Sequence, residues 1–150
     1  RMIQGDVKHL IKEKMAEKHS FDVVLTNPPY IRSGGGLKNK ESARTIARHE
    51  TTAELSDFIR EASLLLKGRG DFYMVHRPSR LIDIAILCRR HKLEPKELRL
   101  VSPDKDTAPN MMLIHCVRNG RPELKLLDPL SVYREDGSYT DEIMALYERQ

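Results

Sequence analysis

An α/β fold, with a mostly parallel sheet and one antiparallel strand, is predicted by three features of this 150-residue sequence. Short apolar, β-branched runs alternate with stretches of helical periodicity, the order expected when crossover helices join neighbouring strands. The run Phe21 to Thr26 is closed by Asn27-Pro28-Pro29, where proline has no N–H for a ladder and restricts the residue before it. Met111 to Val117 is apolar at both parities, the pattern of a central strand. It follows closely on another strand, so one of the two runs antiparallel.

Taken in order, Met2 to Asp6 reads as the tail of a strand entering a turn, and residue 1 is Arg rather than an initiator Met. The opening therefore reads as that of a fragment. Val7 to Lys18 carries Leu10, Ile11 and Met15 near helical spacing and predicts a charged surface helix. After the strand Phe21 to Thr26, Ser33-Gly34-Gly35-Gly36 predicts a mobile loop, and Glu41 to Glu50 a helix. Thr51 and Glu54 have capping-box spacing before the stripe Leu55, Phe58, Ile59, Ala62 and Leu66, with Gly68 and Gly70 ending that helix.

Asp71 to His76 is the next predicted strand. Pro78 and Ser79 open a helix to about Lys92, with Pro95 beyond its end. Leu98 to Val101 is a strand, Ser102 to Asn110 a polar loop, and Met111 to Val117 the central strand. Asn119-Gly120 and Asp136-Gly137 are turn signals, and Thr140 is placed to cap a last helix holding Ile143, Met144 and Leu146. No internal repeat or low-complexity segment interrupts the chain, and one domain spans residues 1–150.

Bulk properties narrow the class. The hydrophobic fraction is 39% and the charged fraction 32%, as in a soluble domain. No apolar run reaches the ~18 residues needed to cross a bilayer, and no signal peptide opens the chain, so a cytoplasmic protein with no membrane partner is expected. Lys and Arg outnumber Asp and Glu, 26 to 22, for a formal charge of +4. That excess suits a phosphate-bearing partner without requiring one. Cys88 and Cys116 stand in separate apolar stretches, without metal-ligand spacing, and are expected as buried reduced thiols. None of the six histidines falls into a ligand spacing, so no metal is predicted.

The chemistry is carried by Asn27-Pro28-Pro29-Tyr30. In an open α/β sheet, ligands bind beyond the carboxyl ends of the strands, where this tetrapeptide lies. It is suited to an exocyclic adenine amine, a poor nucleophile because its lone pair is delocalised into the ring. The Asn27 side-chain oxygen can accept one amine N–H, and the Pro28 carbonyl, its direction held by the prolines, the other. Tyr30 offers a face for the base, worth about 1–3 kcal/mol, which offsets the few kcal/mol of unstacking. The alternative, a plain Asn-Pro-Pro turn, is outweighed by the preceding Phe-Asp-Val-Val-Leu-Thr.

Phe21-Asp22-Val23-Val24-Leu25-Thr26-Asn27-Pro28-Pro29-Tyr30 resembles motif IV of the class I amino-methyltransferases. Ala47-Arg48-His49-Glu50, Arg80-Leu81-Ile82-Asp83, Leu93-Glu94-Pro95-Lys96, Pro129-Leu130 with Val132-Tyr133, and Asp136-Gly137-Ser138-Tyr139-Thr140 resemble the bacterial tRNA1(Val) adenine-N6 methyltransferase group. The resemblance implies a Rossmann-like class I methyltransferase fold, here incomplete, with its first strands and Gly-rich cofactor loop missing. Residues 1–150 would be the C-terminal, catalytic portion. It implies S-adenosylmethionine as cofactor, tRNA as partner, and Asn27, Pro28, Pro29 and Tyr30 as catalytic residues. Gly5-Asp6 resembles motif III, which implies that Asp6, with Asn27, contacts the cofactor; a solvated Asp at a helix start is the competing reading.

Lacking that loop, the chain alone is expected to be inactive and to expose a sheet edge open to self-association. Lys38, Lys40, Arg44, Arg48, Arg77 and Arg80 are candidates to line the RNA path, against the alternative of solvated helix faces. Two other functions compete. Protein-glutamine N5-methyltransferases share Asn-Pro-Pro-Tyr and face the same amide problem, and a non-catalytic RNA-binding module needs no cofactor loop.

Overall fold

The computed structural model describes residues 2, 4–11, 16–28 and 55–148. Among them, strands β1 (Phe21–Thr26), β2 (Leu66–His76), β3 (Leu93–Ser102), β4 (Met111–Arg118), β5 (Lys125–Leu126) and β6 (Leu130–Ser131) build one sheet. Helix α1 covers residues 55–65, α2 is Leu81–Arg90 and α3 Asp141–Tyr147. The strand order is β1-β2-β4-β3-β5, with β6 also on β3. β1 runs parallel to β2, and β5 and β6 parallel to β3. β4 is antiparallel to both of its neighbours.

One strand therefore runs against the other five. The expected predominance of parallel pairing holds for strand direction but only in part for the ladders, since the long pairings of β4 on each side are antiparallel. The sheet is mixed.

Alternation decides the core. Along β2, Phe72, Met74 and His76 are buried, and Val24 and Thr26 of β1 pair with Phe72 and Met74. On β4, Met112, Ile114 and Cys116 fall on the same face. Helices α1 and α2 contribute Leu55, Ile59, Ala62, Ile84, Leu87 and Cys88 to this one cluster. Each fully buried large side chain is worth roughly 1.5–3 kcal/mol, so this face dominates the stability of the domain.

Several elements depart from the sequence reading. Met2 and residues 4–6 hold no strand, and the predicted first helix is a 3-10 turn at Val7–His9, with residues 12–15 outside the description. Gly68 and Gly70 do not interrupt; they lie inside β2, which starts at Leu66 opposite Phe21. The reason at Gly70 is steric: a Cβ there would stand 3.0 Å from the Asp22 carbonyl oxygen and 3.0 Å from Leu66 Cδ2. Pro95 lies beyond the helix end as expected, but already within β3, which starts at Leu93 rather than Leu98, and its missing donor is accommodated where the register shifts between Pro95 and Glu97.

Pro78–Arg80 forms a 3-10 turn leading into α2, and Lys92, at φ 62°, turns the chain into β3. Both turn signals are realised, with Asn119 at φ 53° and Gly137 at φ 80°. Thr140 precedes α3 as expected, but makes no side-chain cap. Its hydroxyl donates instead to the Ser131 carbonyl at 2.8 Å. Cys88 and Cys116 are free and buried. They are not isolated from each other: they touch across the α2–β4 contact, which, with burial, pushes the Cys116 thiol far up.

Candidate active site

Parallel pairing aligns the carboxyl ends of β1 and β2. The last pair in the register is Thr26 with Met74. Asn27 and Pro28 follow directly, beyond the last pair of the register. Asn27 is exposed and Pro28 buried, which carries on the alternation of β1. Pro28 thus shares the helix-covered side with His76, and Asn27 faces away from it. Because β4 is antiparallel to β2 and to β3, His76 pairs with Met112 and Val101 with Met111. The carboxyl ends of β1, β2, β3 and β6 therefore form one rim.

On this rim Arg77 follows β2 directly. Its guanidinium Nη1 donates to the Asn110 carbonyl at 3.2 Å, tying the end of β2 to the 103–110 loop between β3 and β4. Arg80 Nε donates to Asp83 Oδ2 at 2.8 Å and is largely covered. Both arginines lie on the side of the sheet expected for RNA, each with a protein contact of its own.

His76 was not singled out from the sequence. The signal lay in parity: Phe72, Met74 and His76 occupy one face, so the last of them is a buried polar group beside the motif strand. Its Nδ1 accepts the Arg77 backbone N–H at 2.9 Å. Burial, reinforced by the charges of Arg80 and Arg77, holds its pKa below the ordinary histidine value.

Asp6 is exposed at the head of the 3-10 turn and accepts the Lys8 backbone N–H at 2.9 Å. That is the role of a helix-start aspartate. One carboxylate oxygen keeps further acceptor capacity, but no described contact joins Asp6 to Asn27. Pro29, Tyr30, the Gly34–Gly36 loop, Lys38, Lys40, Arg44 and Arg48 lie outside the described residues.

A second feature of the rim is a cleft of about 870 Å³ between the 103–110 loop and the segment after β6. It is lined by Asp104, Asp106, Glu135 and Asp136 against only Lys105 and Arg134 among charged groups. Asp104 and Asp136 are held below the usual carboxylate range by hydrogen bonds, to Thr107 and Ser138 respectively.

On the opposite face of the sheet Val23, Leu25, Tyr73 and Leu113 are exposed, and His115 bridges Asp71 at 2.7 Å and Glu97 at 3.3 Å while stacking on Tyr73. β1 ends the strand path, and no described residue pairs with its outer edge. Among the described residues, no helix is long and apolar enough to cross a membrane.

Residues 4–86 match the Eco57I restriction-modification methylase family. The chain belongs to that family. The matched stretch contains the whole β1–motif–β2 unit and the start of α2. Among curated proteins, a tRNA1(Val) (adenine(37)-N6)-methyltransferase of Parabacteroides distasonis is 35% identical over 101 residues, 65% of this chain and 40% of that protein. A protein of the same name from Porphyromonas gingivalis is 27% identical over 150 residues, 96% of this chain and 56% of its own length.

The chain therefore spans about half the length of these relatives. Among solved structures, a predicted O-methyltransferase from Agrobacterium tumefaciens superposes with a TM-score of 0.74 at 20% identity, over 97% of this chain and 61% of the other. M1.HpyAVI in complex with S-adenosylmethionine gives 0.52 at 14% identity, over 85% and 61%. The fold is that of the class I methyltransferases, and Asn27 and Pro28 stand just beyond the end of β1.

Proposed function

We propose that this chain carries the acceptor half of an S-adenosylmethionine-dependent enzyme that methylates the N6 amine of an adenine in tRNA. The observation that carries the reading is the position of Asn27 and Pro28: the first two residues beyond β1, at the carboxyl rim, one exposed and one buried. The Asn27 carboxamide oxygen and the Pro28 carbonyl accept the two amine N–H groups, and Tyr30 stacks on the base. Together they fix the amine ~3–3.5 Å from the carbon it attacks and favour localisation of its lone pair. S-adenosylmethionine supplies the electrophilic methyl group. The Asn27 oxygen and the Pro28 carbonyl keep their hydrogen bonds to the amine as positive charge develops on nitrogen, and the methylated amine, now strongly acidic, releases its proton to water.

Asp6 and Asn27 are the residues of this chain that would face the cofactor. Asp6 has spare acceptor capacity toward an adenine amine, and no glycine-rich strand-to-helix turn lies in the sequence to hold the rest. The relatives' additional length, and an outer edge of β1 that no described residue pairs, support a further cofactor-binding segment in the working enzyme, and the 150 residues alone are expected to be inactive. The names of the curated relatives support tRNA as partner and the cytoplasm as location.

Radiolabelled methyl transfer from S-adenosylmethionine to bulk tRNA, by this chain and by the same sequence extended to the relatives' length, tests the reading. Label recovered as N6-methyladenosine with the longer form alone is expected. Label in a release-factor glutamine would replace the acceptor, and none in either class would favour a non-catalytic RNA-binding module. Transfer by the 150 residues alone would refute their inactivity.

A further inference from the structure

Cations gather at the end of the sheet opposite the carboxyl rim. Because β4 runs against β2 and β3, its last residues meet the first of both: Val117 pairs with Asp71, and Arg118 with Leu93. Three basic segments converge there. Arg69, between two glycines near the start of β2, donates from Nη1 to the Asn119 carbonyl at 3.5 Å. Arg90 ends α2, and the Lys92 carbonyl just after it accepts the Asn119 backbone N–H at 2.8 Å. Arg118 and Arg121 flank the Asn119-Gly120 turn, and Lys96 Nζ donates to the Arg121 carbonyl at 3.2 Å. One turn of backbone thus draws together Arg69, Arg90, Lys92, Lys96, Arg118 and Arg121.

The carboxylates at this end are engaged by other cations. Lys67 bridges Asp22 at 2.8 Å and Arg89 bridges Glu94 at 2.6 Å. Among the described residues none of the six has a carboxylate partner, Glu123 just past the turn included. Arg118 is the most confined. Its Nε is buried without a hydrogen-bond partner, so no described group offsets the desolvation of its guanidinium. Two more of the six stand where the backbone favours glycine, Arg69 at φ 71° and Lys92 at φ 62°. The dipole of α2 accounts for Arg90 in its last turn. It does not account for Arg69, Lys96, Arg118 and Arg121, which lie on strands and a turn.

We propose that this basic end is a second contact for the substrate RNA, holding its sugar-phosphate backbone away from the base that is modified. The inference rests on the proposed reading of tRNA as partner, and deepens it by naming where the rest of that molecule is held. Unpaired cations around one turn suit a run of phosphates, since each phosphate they neutralise releases counterions. The distance favours a folded RNA over a mononucleotide. β4 covers the 8 residues Met111–Arg118, about 24 Å from the rim to the basic end at the usual strand rise. A ligand with a base at the rim and phosphates at Arg118 has to bridge that span, which an RNA arm does and a nucleotide does not.

Glycine at the two positive-φ positions separates binding from folding. Arg69→Gly combined with Lys92→Gly removes two charges where glycine suits the backbone, so the thermal midpoint should stay within a few degrees of wild type. Binding of fluorescent tRNA to the 150-residue chain is followed by anisotropy across a salt series. The double variant is expected to weaken binding about 10-fold at low salt and to reduce the salt slope by about 2, one for each lost phosphate contact. Lys105→Glu, on the cleft at the rim, changes the net charge by the same amount and should leave affinity and slope near wild type. In the longer form, the loss in the double variant should appear in KM for tRNA rather than in kcat.

Unchanged affinity and slope in the double variant would overturn the proposal. Equal weakening by Lys105→Glu would do the same, by reducing the effect to net charge. So would binding of the chain to phosphatidylserine vesicles that tRNA does not displace, which would make the basic end a membrane contact. Absence of methyl transfer by the wild-type longer form would sink the adenine reading instead, and the tRNA-binding series would still decide this one.

Discussion

Arg77 reaches the Asn110 carbonyl at 3.2 Å, so a side chain expected to meet RNA also fastens the end of β2 to the loop between β3 and β4. The two duties predict a mixed phenotype. Arg77→Glu should weaken tRNA binding, reduce the salt slope of the binding constant by about 1, and lower stability by about 1 kcal/mol for the lost hydrogen bond. Filter binding across a salt series, with urea denaturation of the same variant, measures both. Affinity and slope equal to wild type would remove Arg77 from the RNA path.

Asn27 is exposed, so its loss should act on chemistry and not on folding. Asn27→Ala is expected to reduce kcat of the longer form by about 100-fold or more, the scale of a lost transition-state contact. Its thermal midpoint should stay within a degree or two. Single-turnover methyl transfer beside a thermal melt checks the pair.

Gly70 and Gly68 make a matched test of the β1–β2 contact. A Cβ at Gly70 would meet the Asp22 carbonyl oxygen and Leu66 Cδ2, each at 3.0 Å, and the Lys67 carbonyl oxygen at 3.2 Å. Gly70→Ala should therefore destabilise by about 1–3 kcal/mol, the usual cost of overpacking. Gly68 has open space around it, and Gly68→Ala should be neutral or slightly stabilising. Equal effects from the two would contradict this arrangement.

Stability should fall in mild acid. Burial depresses the pKa of both His76 and His91 in the folded chain. The unfolded chain therefore binds more protons as pH drops through about 6.5, and stability gained above that value is lost as pH falls toward the depressed folded values. Urea midpoints at pH 7.5 and 5.5 should show the decline, and His76→Met should reduce its slope.

The exposed Val23 and Leu25 beside the outer edge of β1 predict concentration-dependent self-association of the 150-residue chain. Sedimentation velocity should detect it, and Leu25→Lys should suppress it. A monomer at all concentrations would show that this edge is not available to a second copy.

Local patterning made the strand Phe21–Thr26, the central strand Met111–Arg118, the amphipathic α1 and both glycine turns legible in advance, because each rests on side-chain periodicity or turn chemistry within a few residues. The motif was legible for the same reason: a strand stopped by two prolines needs no distant partner to be recognised. Other features depended on contacts between segments far apart in sequence. Gly68 and Gly70 look like helix breakers until Asp22 of β1 approaches Gly70. Pro95 follows the end of α2 as its sequence suggests, but only pairing with β4 shows that it already lies inside a strand. Thr140 looks like a cap until β6 brings the Ser131 carbonyl within reach of its hydroxyl.

Composition and order alone determined the α/β class and showed that an Asn-Pro-Pro-Tyr string directly follows a strand. Only the tertiary structure decided that β4 runs against its neighbours, that Cys88 meets Cys116, and that a histidine, His76, closes the buried face of β2. The physical reason is that strand order and register are set by burial of one sheet face against α1 and α2. That is a property of the assembled sheet and of no single segment.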